Sequence, residues 1–354
     1  MKALVLAGGT GTRLRPLTYT MAKQLVPVAN KPIINYVIND IKNTGIKEIG
    51  IIVSPETGDQ IKAEISRTDW GLNISYIPQD KPLGLAHTVV VAKDFLNDDS
   101  FVMYLGDNLI QGGIKNIVET YNKTECDSVI MLKQVSNPSM FGVAEINENG
   151  DIIGLVEKPT NPVSDLALVG IYVFSNHIHN AISNIKPSGR GELEITDAIQ
   201  MLLGSGRNVK SVILNNWWLD TGKKDDLLEA NRVVLDELIK ININSKPDAK
   251  SEIIGRVEIG KGCEISNSRI RGPVVIGDGV KVRDSFIGPY TSIDNNSTIM
   301  GSSIEHSVIL DSVLLENVQR IEDSIIGKNA SVRKNDSGHN GIRLMISDDS
   351  EVQI

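Results

Sequence analysis

Apolar and polar positions change rhythm twice along this 354-residue chain. Lys2 to Leu6 has the composition of a short strand buried on both faces, and the apolar positions between Ile33 and Ile41 recur as on one side of a helix. The alternation continues. Ile49 to Val53, Ile74 to Ile77, Phe101 to Leu105 and Ser128 to Leu132 read as strands, while Asp59 to Ile65, Leu85 to Phe95 and Ile114 to Tyr121 read as helices. Strands alternating with helices predict an α/β domain with a mostly parallel sheet covered on both faces. Ligands of such sheets gather at the carboxyl ends of the strands. From Phe141 to Phe174 the strands shorten, with turns at Asn149-Gly150 and Pro159 to Pro162; helical character returns at Glu194 to Leu203 and Lys223 to Ile239. The first domain is therefore expected to span residues 1–240, followed by a polar connection at 241–252 that contains Pro247.

Beyond the connection a six-residue period takes over. Ile253, Ile259 and Ile265 are followed, after a step of five, by Ile270, Ile276 and Val282, and then by Ile287, Ile293 and Ile299. Ile304, Ile309 and Leu314 continue at five, and Ile326 and Val332 return to six, with Gly255, Gly260, Gly277, Gly288 and Gly327 close behind apolar positions. Neither an amphipathic helix nor an alternating strand generates this spacing, whereas a parallel β-helix buries one apolar residue per side of each coil. The expected coil covers 253–333, and residues 334–354, with Ile342, Leu344 and Ile346 alternating, are expected to form a cap or tail.

Composition narrows the function. An apolar content of 41% supports a packed core, and no apolar stretch reaches the roughly 18 residues of a membrane span, so no membrane partner is expected. The opening run Ala3 to Ala7 is too short for a signal-peptide core. Cys126 and Cys263 sit in no metal-ligand or redox spacing, which points to packing thiols in a reducing, cytoplasmic setting. A net charge of -8 disfavours nucleic acid as a partner. Yet Met1 to Lys31 contains no acidic residue and carries Lys2, Arg13, Arg15, Lys23 and Lys31, so a small anion is expected at this glycine-rich start.

The loop itself is Leu6-Ala7-Gly8-Gly9-Thr10-Gly11-Thr12-Arg13-Leu14, directly after a strand. Its glycines let successive backbone N–H groups converge on phosphate oxygens, and Arg13 adds a forked cation. It is not a Walker A loop, because no Gly-Lys-Ser/Thr follows, and it lacks the third glycine of the dinucleotide fingerprint. Together with Ala22-Lys23-Gln24-Leu25, Pro27 and Lys31-Pro32, this run resembles the glucose-1-phosphate thymidylyltransferases. The resemblance extends to about Ile239 through Trp70-Gly71-Leu72, Gln79 with Pro82, Gly84, Leu85 and Ala86, Leu105-Gly106-Asp107-Asn108, and Phe141-Gly142-Val143. Glu157-Lys158-Pro159, Arg190 through Asp197 and Trp218-Leu219-Asp220-Thr221-Gly222 complete the ordered series.

That resemblance implies a Rossmann-like mixed sheet, a left-handed β-helix in place of the C-terminal helices of shorter relatives, and transfer of a nucleotidyl group from dTTP to glucose 1-phosphate. It implies that Asp107 and Asp220 hold Mg2+, that Arg13 and Lys23 bind the triphosphate, and that Lys158 and Arg190 bind the sugar phosphate. Leu6, Gly8, Gly9, Gly11, Thr12, Gln24 and Pro82 would line the nucleotide, with Gln79 and the backbone at Gly84 reading the base. Asn108, Gly142, Glu157 and Val169 would line the sugar. The sugar phosphate is already ionised near neutrality, its second pKa being about 6, so no general base is needed, in keeping with five histidines that read as surface or packing residues. UTP in place of dTTP, a broader range of sugar phosphates and a catalytically silent regulatory paralogue are the alternatives. A homo-oligomer formed through the β-helix is expected. An acetyltransferase on the coil, for which His306 alone speaks, is not.

Overall fold

The computed structural model describes residues 1–9, 11–148, 150–334 and 348–353. It divides into two compact units, one of residues 1–10, 21–25 and 33–220, the other of 11–20, 26–32 and 221–354. Strand β1 (Lys2–Ala7) opens the first unit, and the hairpin β2 (Pro27–Val28) and β3 (Lys31–Pro32) belongs to the second. The first unit resumes with α1 (Ile33–Asn43), β4 (Glu48–Val53), α2 (Gly58–Ile65), β5 (Asn73–Pro78), α3 (Leu85–Val91), α4 (Lys93–Leu96) and β6 (Phe101–Leu105). Next come β7 (Asn108–Ile110), α5 (Lys115–Lys123), β8 (Ser128–Gln134), β9 (Gly142–Ile146), β10 (Ile152–Glu157) and β11 (Leu166–Phe174). It closes with α6 (His177–Ser183), α7 (Ile195–Gly204), β12 (Val209–Ile213) and β13 (Trp218–Asp220), and α8 (Lys224–Leu238) resumes the second unit.

Nine of these strands form one mixed sheet. β6, β1, β4 and β5 lie side by side and parallel, with Leu6 opposite both Leu105 and Ile52. β11 then reverses direction against β6, β8 and β9. The apolar runs of the parallel strands follow from burial on both faces. Ala3, Val5 and Ala7 pack into one buried cluster with Ile49, Ile51 and Tyr104, while Leu4 and Leu6 pack into the other with Ile52, Phe101 and Met103. The segment expected as one helix from Leu85 to Phe95 is two, broken at Ala92. Its four consecutive residues Thr88 to Val91 are all β-branched and weaken the helix there.

In the second unit, residues from Glu252 to Arg333 build three parallel sheets, the arrangement of a left-handed parallel β-helix. Aliphatic residues stack in columns: Ile253, Ile270, Ile287, Ile304 and Ile321; Ile259, Ile276, Ile293, Ile309 and Ile326; Ile265, Val282, Ile299, Leu315 and, exposed at the end, Val332. The third column corrects one expectation. Leu315, fully buried, takes the interior place assigned to Leu314, because the step after Ile309 is six and not five. A serine ladder holds one corner: the Ser268 N–H donates to Ser251 Oγ and the Ser285 N–H to Ser268 Oγ, each at 3.1 Å and 17 residues apart. The polar stretch before the coil joins it as a partial base layer, Asn242–Ile243 pairing with Glu258–Ile259. Helix α8 packs on the coil through Leu235, which with Ile239 and Val275 forms a small apolar cluster, and Asn231 donates to Tyr290 O at 3.1 Å. Of the cap expected at 334–354, residues 335–347 and 354 lie outside the described residues.

Candidate active site

The carboxyl ends of β1 and β6 emerge side by side, and the Gly106 N–H donates to Leu6 O at 2.9 Å. That pairing sets Ala7-Gly8-Gly9 beside Gly106-Asp107. β7 then pairs antiparallel with β13 in a three-residue ribbon whose register places Asp220 opposite Asn108, and so next to Asp107. The ribbon is why two aspartates more than a hundred positions apart converge. Lys23, 7% exposed in a one-turn 3-10 helix (Lys23–Leu25), extends its ammonium to Asp107 Oδ2 at 2.5 Å and Asp220 Oδ1 at 3.6 Å. Two like charges about 4 Å apart repel by about 4 kcal/mol at an effective dielectric of about 20, and an ammonium between two carboxylates offsets such repulsion.

The other residues expected at the nucleotide are divided between the two units. Leu6 is buried, and Gln24 is 2% exposed with Oε1 buried and lacking a hydrogen-bond partner among the described residues. Gln79 is 6% exposed; its Nε2 lies 2.9 Å from His87 Nδ1, and its Oε1 faces Gly8, where an added Cβ would come within 3.3 Å. Gly84 holds φ at +106°, and a Cβ there would meet the Leu193 carbonyl oxygen at 2.4 Å, so only glycine fits. The close approach follows from pairing: the Leu193 N–H donates to Leu83 O and the Ala86 N–H to Leu193 O. Pro82 is exposed on the same loop. Gly11, Thr12 and Arg13 fall in the second compact unit, where Gly11 (φ +63°) leads into a 3-10 turn (Thr12–Leu14) and Thr18 Oγ1 donates to Gly11 O at 2.8 Å; Arg13 is exposed.

The residues expected at the sugar phosphate form a second cluster of the first unit. Glu157 stands opposite Gly142 in the β10–β9 register. Arg190 Nη2 lies 3.3 Å from Glu157 Oε1, Lys158 Nζ lies 3.8 Å from the same oxygen, and Thr196 Oγ1 donates to Glu157 Oε2 at 3.2 Å. Burial, and secondarily the charge of Glu194, push the Glu157 carboxyl above its ordinary pKa. Lys158 adopts φ +43°, a left-handed conformation uncommon outside glycine, with its N–H donating to Phe141 O at 3.0 Å. Asn108, 2% exposed, donates to the carbonyl of fully buried Val169.

Three residues escaped the reading of the sequence. Glu194, 4% exposed, accepts from Arg190 Nη2 at 2.9 and 3.0 Å and from Ser188 Oγ at 2.7 Å, and so orients the arginine. Thr196 anchors Glu157. His87 binds Gln79 through a ring nitrogen. Glu194 and Thr196 fall in the run from Arg190 to Asp197, where sequence alone assigns them no role; the local pattern around His87 marks only a helix.

A mixed α/β sheet that sets a glycine turn beside two carboxylates and a buried lysine, with a second cluster of paired cations and carboxylates in the same unit, defines a phosphate-handling enzyme. The chain belongs to the nucleotidyl transferase family, whose profile matches residues 2–237. It is similar to a glucose-1-phosphate thymidylyltransferase of Streptomyces griseus, 48% identical over 355 residues that cover 100% of this chain and 99% of the relative. A solved structure from Bacillus anthracis, assigned as a glucose-1-phosphate thymidylyltransferase and holding a sucrose, superposes with a TM-score of 0.62 at 36% identity, over 68% of this chain and 97% of its own. A UDP-glucose pyrophosphorylase solved with UDP-glucose superposes at 0.61 with 25% identity, over 67% and 98%. Among the described residues no helix is long and apolar enough to cross a membrane.

Proposed function

We propose that this enzyme transfers a nucleotidyl group from dTTP to α-D-glucose 1-phosphate, releasing pyrophosphate. The observation that carries the reading is the Lys23 ammonium held between Asp107 and Asp220, at 2.5 and 3.6 Å. A phosphate oxygen of the sugar phosphate attacks the α-phosphorus in line; the new P–O bond forms as the bond to the β-phosphate oxygen breaks, and the electron pair leaves with pyrophosphate. Because the attacking oxygen is ionised near neutrality, the chain supplies no base. Its task is to bring two polyanions together and to stabilise charge gathering on the α-phosphoryl oxygens. Lys23 and Arg13 do this for the triphosphate, Lys158 and Arg190 for the sugar phosphate.

Asp107 and Asp220 fit Mg2+. The Lys23 nitrogen already marks a cation position between two oxygen donors, and the described residues contain no group of three or more His, Cys, Asp or Glu suited to a metal. One or two carboxylates completed by substrate phosphates is the usual setting of this ion. When bound, Mg2+ supplies Lewis acidity and a template for the phosphates. Gln79 and the Gly84 backbone read the base, with Leu6, Gly8, Gly9, Gly11, Thr12, Gln24 and Pro82 around the nucleotide. Asn108, Gly142, Glu157 and Val169 take the sugar, Glu157 accepting from its hydroxyl groups. The two cysteines are free thiols, which supports a cytoplasmic setting.

Pyrophosphate release from dTTP and glucose 1-phosphate, assayed with and without Mg2+ and with an array of nucleotides and sugar phosphates, tests the proposal; no turnover on any thymidine or uridine triphosphate rejects it. UTP is a second reading, favoured by the likeness to a structure solved with UDP-glucose. A pocket distinguishes one methyl by only about 1–3 kcal/mol, so both nucleotides are expected to react, dTTP with the higher kcat/KM.

A further inference from the structure

Gln79 follows β5 with its backbone N–H donating to Val53 O at 2.9 Å, and its side chain reaches His87 in the first turn of α3. The contact is between Gln79 Nε2 and His87 Nδ1, at 2.9 Å. A carboxamide nitrogen only donates. With Gln79 Nε2 donating, His87 Nδ1 is the acceptor, and the pair holds the amide in this orientation. That orientation turns Gln79 Oε1 toward the glycine turn, where a Cβ on Gly8 would approach it to 3.3 Å. Oε1 is thus an acceptor that faces the nucleotide loop on a side chain only 6% exposed.

We infer that His87 is a positioning residue that determines base specificity: by accepting from Gln79 Nε2 it presents Gln79 Oε1 to the nucleotide and selects bases that offer an N3–H donor. The inference rests on Gln79 being the base reader proposed above. Thymine and uracil carry hydrogen on N3, whereas cytosine presents a lone pair there and meets the carbonyl acceptor to acceptor. A glutamine free to rotate its amide by 180° accommodates either edge. Fixing the amide thus excludes cytosine with no clash and no charge, because a buried acceptor facing another acceptor is left without a hydrogen bond. The Gly8 contact has a matching role, since bulk there would push the oxygen out of line.

The test compares kcat/KM for dTTP and dCTP, at saturating glucose 1-phosphate, in the wild type, His87→Leu and His87→Gln. In His87→Leu the dTTP value is expected to fall roughly tenfold, chiefly through KM, while the dCTP value rises, and KM for glucose 1-phosphate stays the same. His87→Gln offers a carboxamide oxygen to the same Nε2 and restores most of the preference. An unchanged dTTP-to-dCTP ratio in folded His87→Leu, or an equal loss on both nucleotides that His87→Gln does not repair, overturns the inference and leaves the transferase reading intact. A wild type inactive on every pyrimidine triphosphate overturns both. Should His87→Leu fail to fold, 15N NMR of the wild type decides: His87 protonated on Nε2 alone supports the assignment, and a proton on Nδ1 at neutral pH rejects it.

Discussion

The coil and the sheet unit use long-range contact in opposite ways. In the coil, each interior side chain meets an equivalent one a single turn away, and ladder hydrogen bonds recur at 17 residues, with two at 16. In the sheet unit, Lys23 meets Asp107 across 84 residues and Asn108 meets Val169 across 61, each contact made once. A repeat spreads stability over many similar contacts, so one loss is local. The cluster of Lys23, Asp107 and Asp220 concentrates charge where a three-residue ribbon fixes the register, and it has no second copy among the described residues. The teaching is that the coil should fail by melting and the site by losing rate.

Substitutions that separate these two failures sharpen the contrast. Asp107→Asn should lower kcat/KM at least a hundredfold, by loss of one of the two carboxylates proposed to hold the metal, with a smaller effect on the melting temperature because Lys23 keeps Asp220 as a partner. Unaltered turnover in that variant removes Asp107 from the chemistry. Ile299→Ala, fully buried in the third column, should cost about 2–5 kcal/mol of stability in a urea titration and leave kcat of the folded protein unchanged. A large drop in kcat there would break the contrast.

Gly84→Ala should cost about 1–3 kcal/mol, through positive φ and the 2.4 Å approach to Leu193 O, and appear mainly as a raised nucleotide KM. The smallest effect concerns Glu157. Its carboxyl is raised in the folded state by burial and then by Glu194, so the folded protein holds that proton more tightly than the unfolded chain. Stability from this group is present below the ordinary carboxylate pKa of about 4.3, falls as pH rises toward the raised value, and levels off above it. Glu157→Gln removes the slope; a thermal-melt profile over that range that keeps the wild-type slope would contradict the assignment.

Legibility followed the same divide. The parallel strands were readable because burial on both faces makes them continuously apolar, and the coil because its columns repeat. Leu314 was mistaken for Leu315 because a period of five and a period of six differ by one position, and only stacking on Ile299 identifies the inward side chain. Strand β12, with Val-Lys-Ser-Val-Ile, and the three-residue strands β7 and β13 are too short or too polar to announce themselves; they form because a neighbouring strand is already in place. The fine tuning of the site lay out of reach for a similar reason. His87, Glu194 and Thr196 act through partners from other elements, and nothing in their local sequence marks the partner.

The order of residues alone determined two architectures, the alternation of strand and helix up to α8 and the six-residue repeat after it, since hydrophobic periodicity is a local property that selects which face is buried. It also determined the chemistry on offer: a glycine turn, cations near the amino terminus and acidic residues in turns. Only the tertiary structure decided which of those charges meet. Asp107 and Asp220 converge through the β7–β13 register, and Gln79 presents an oxygen because His87 comes to lie 2.9 Å from its nitrogen. Electrostatic and hydrogen-bond energies depend on ångström separations, and a linear sequence carries separations only along the backbone.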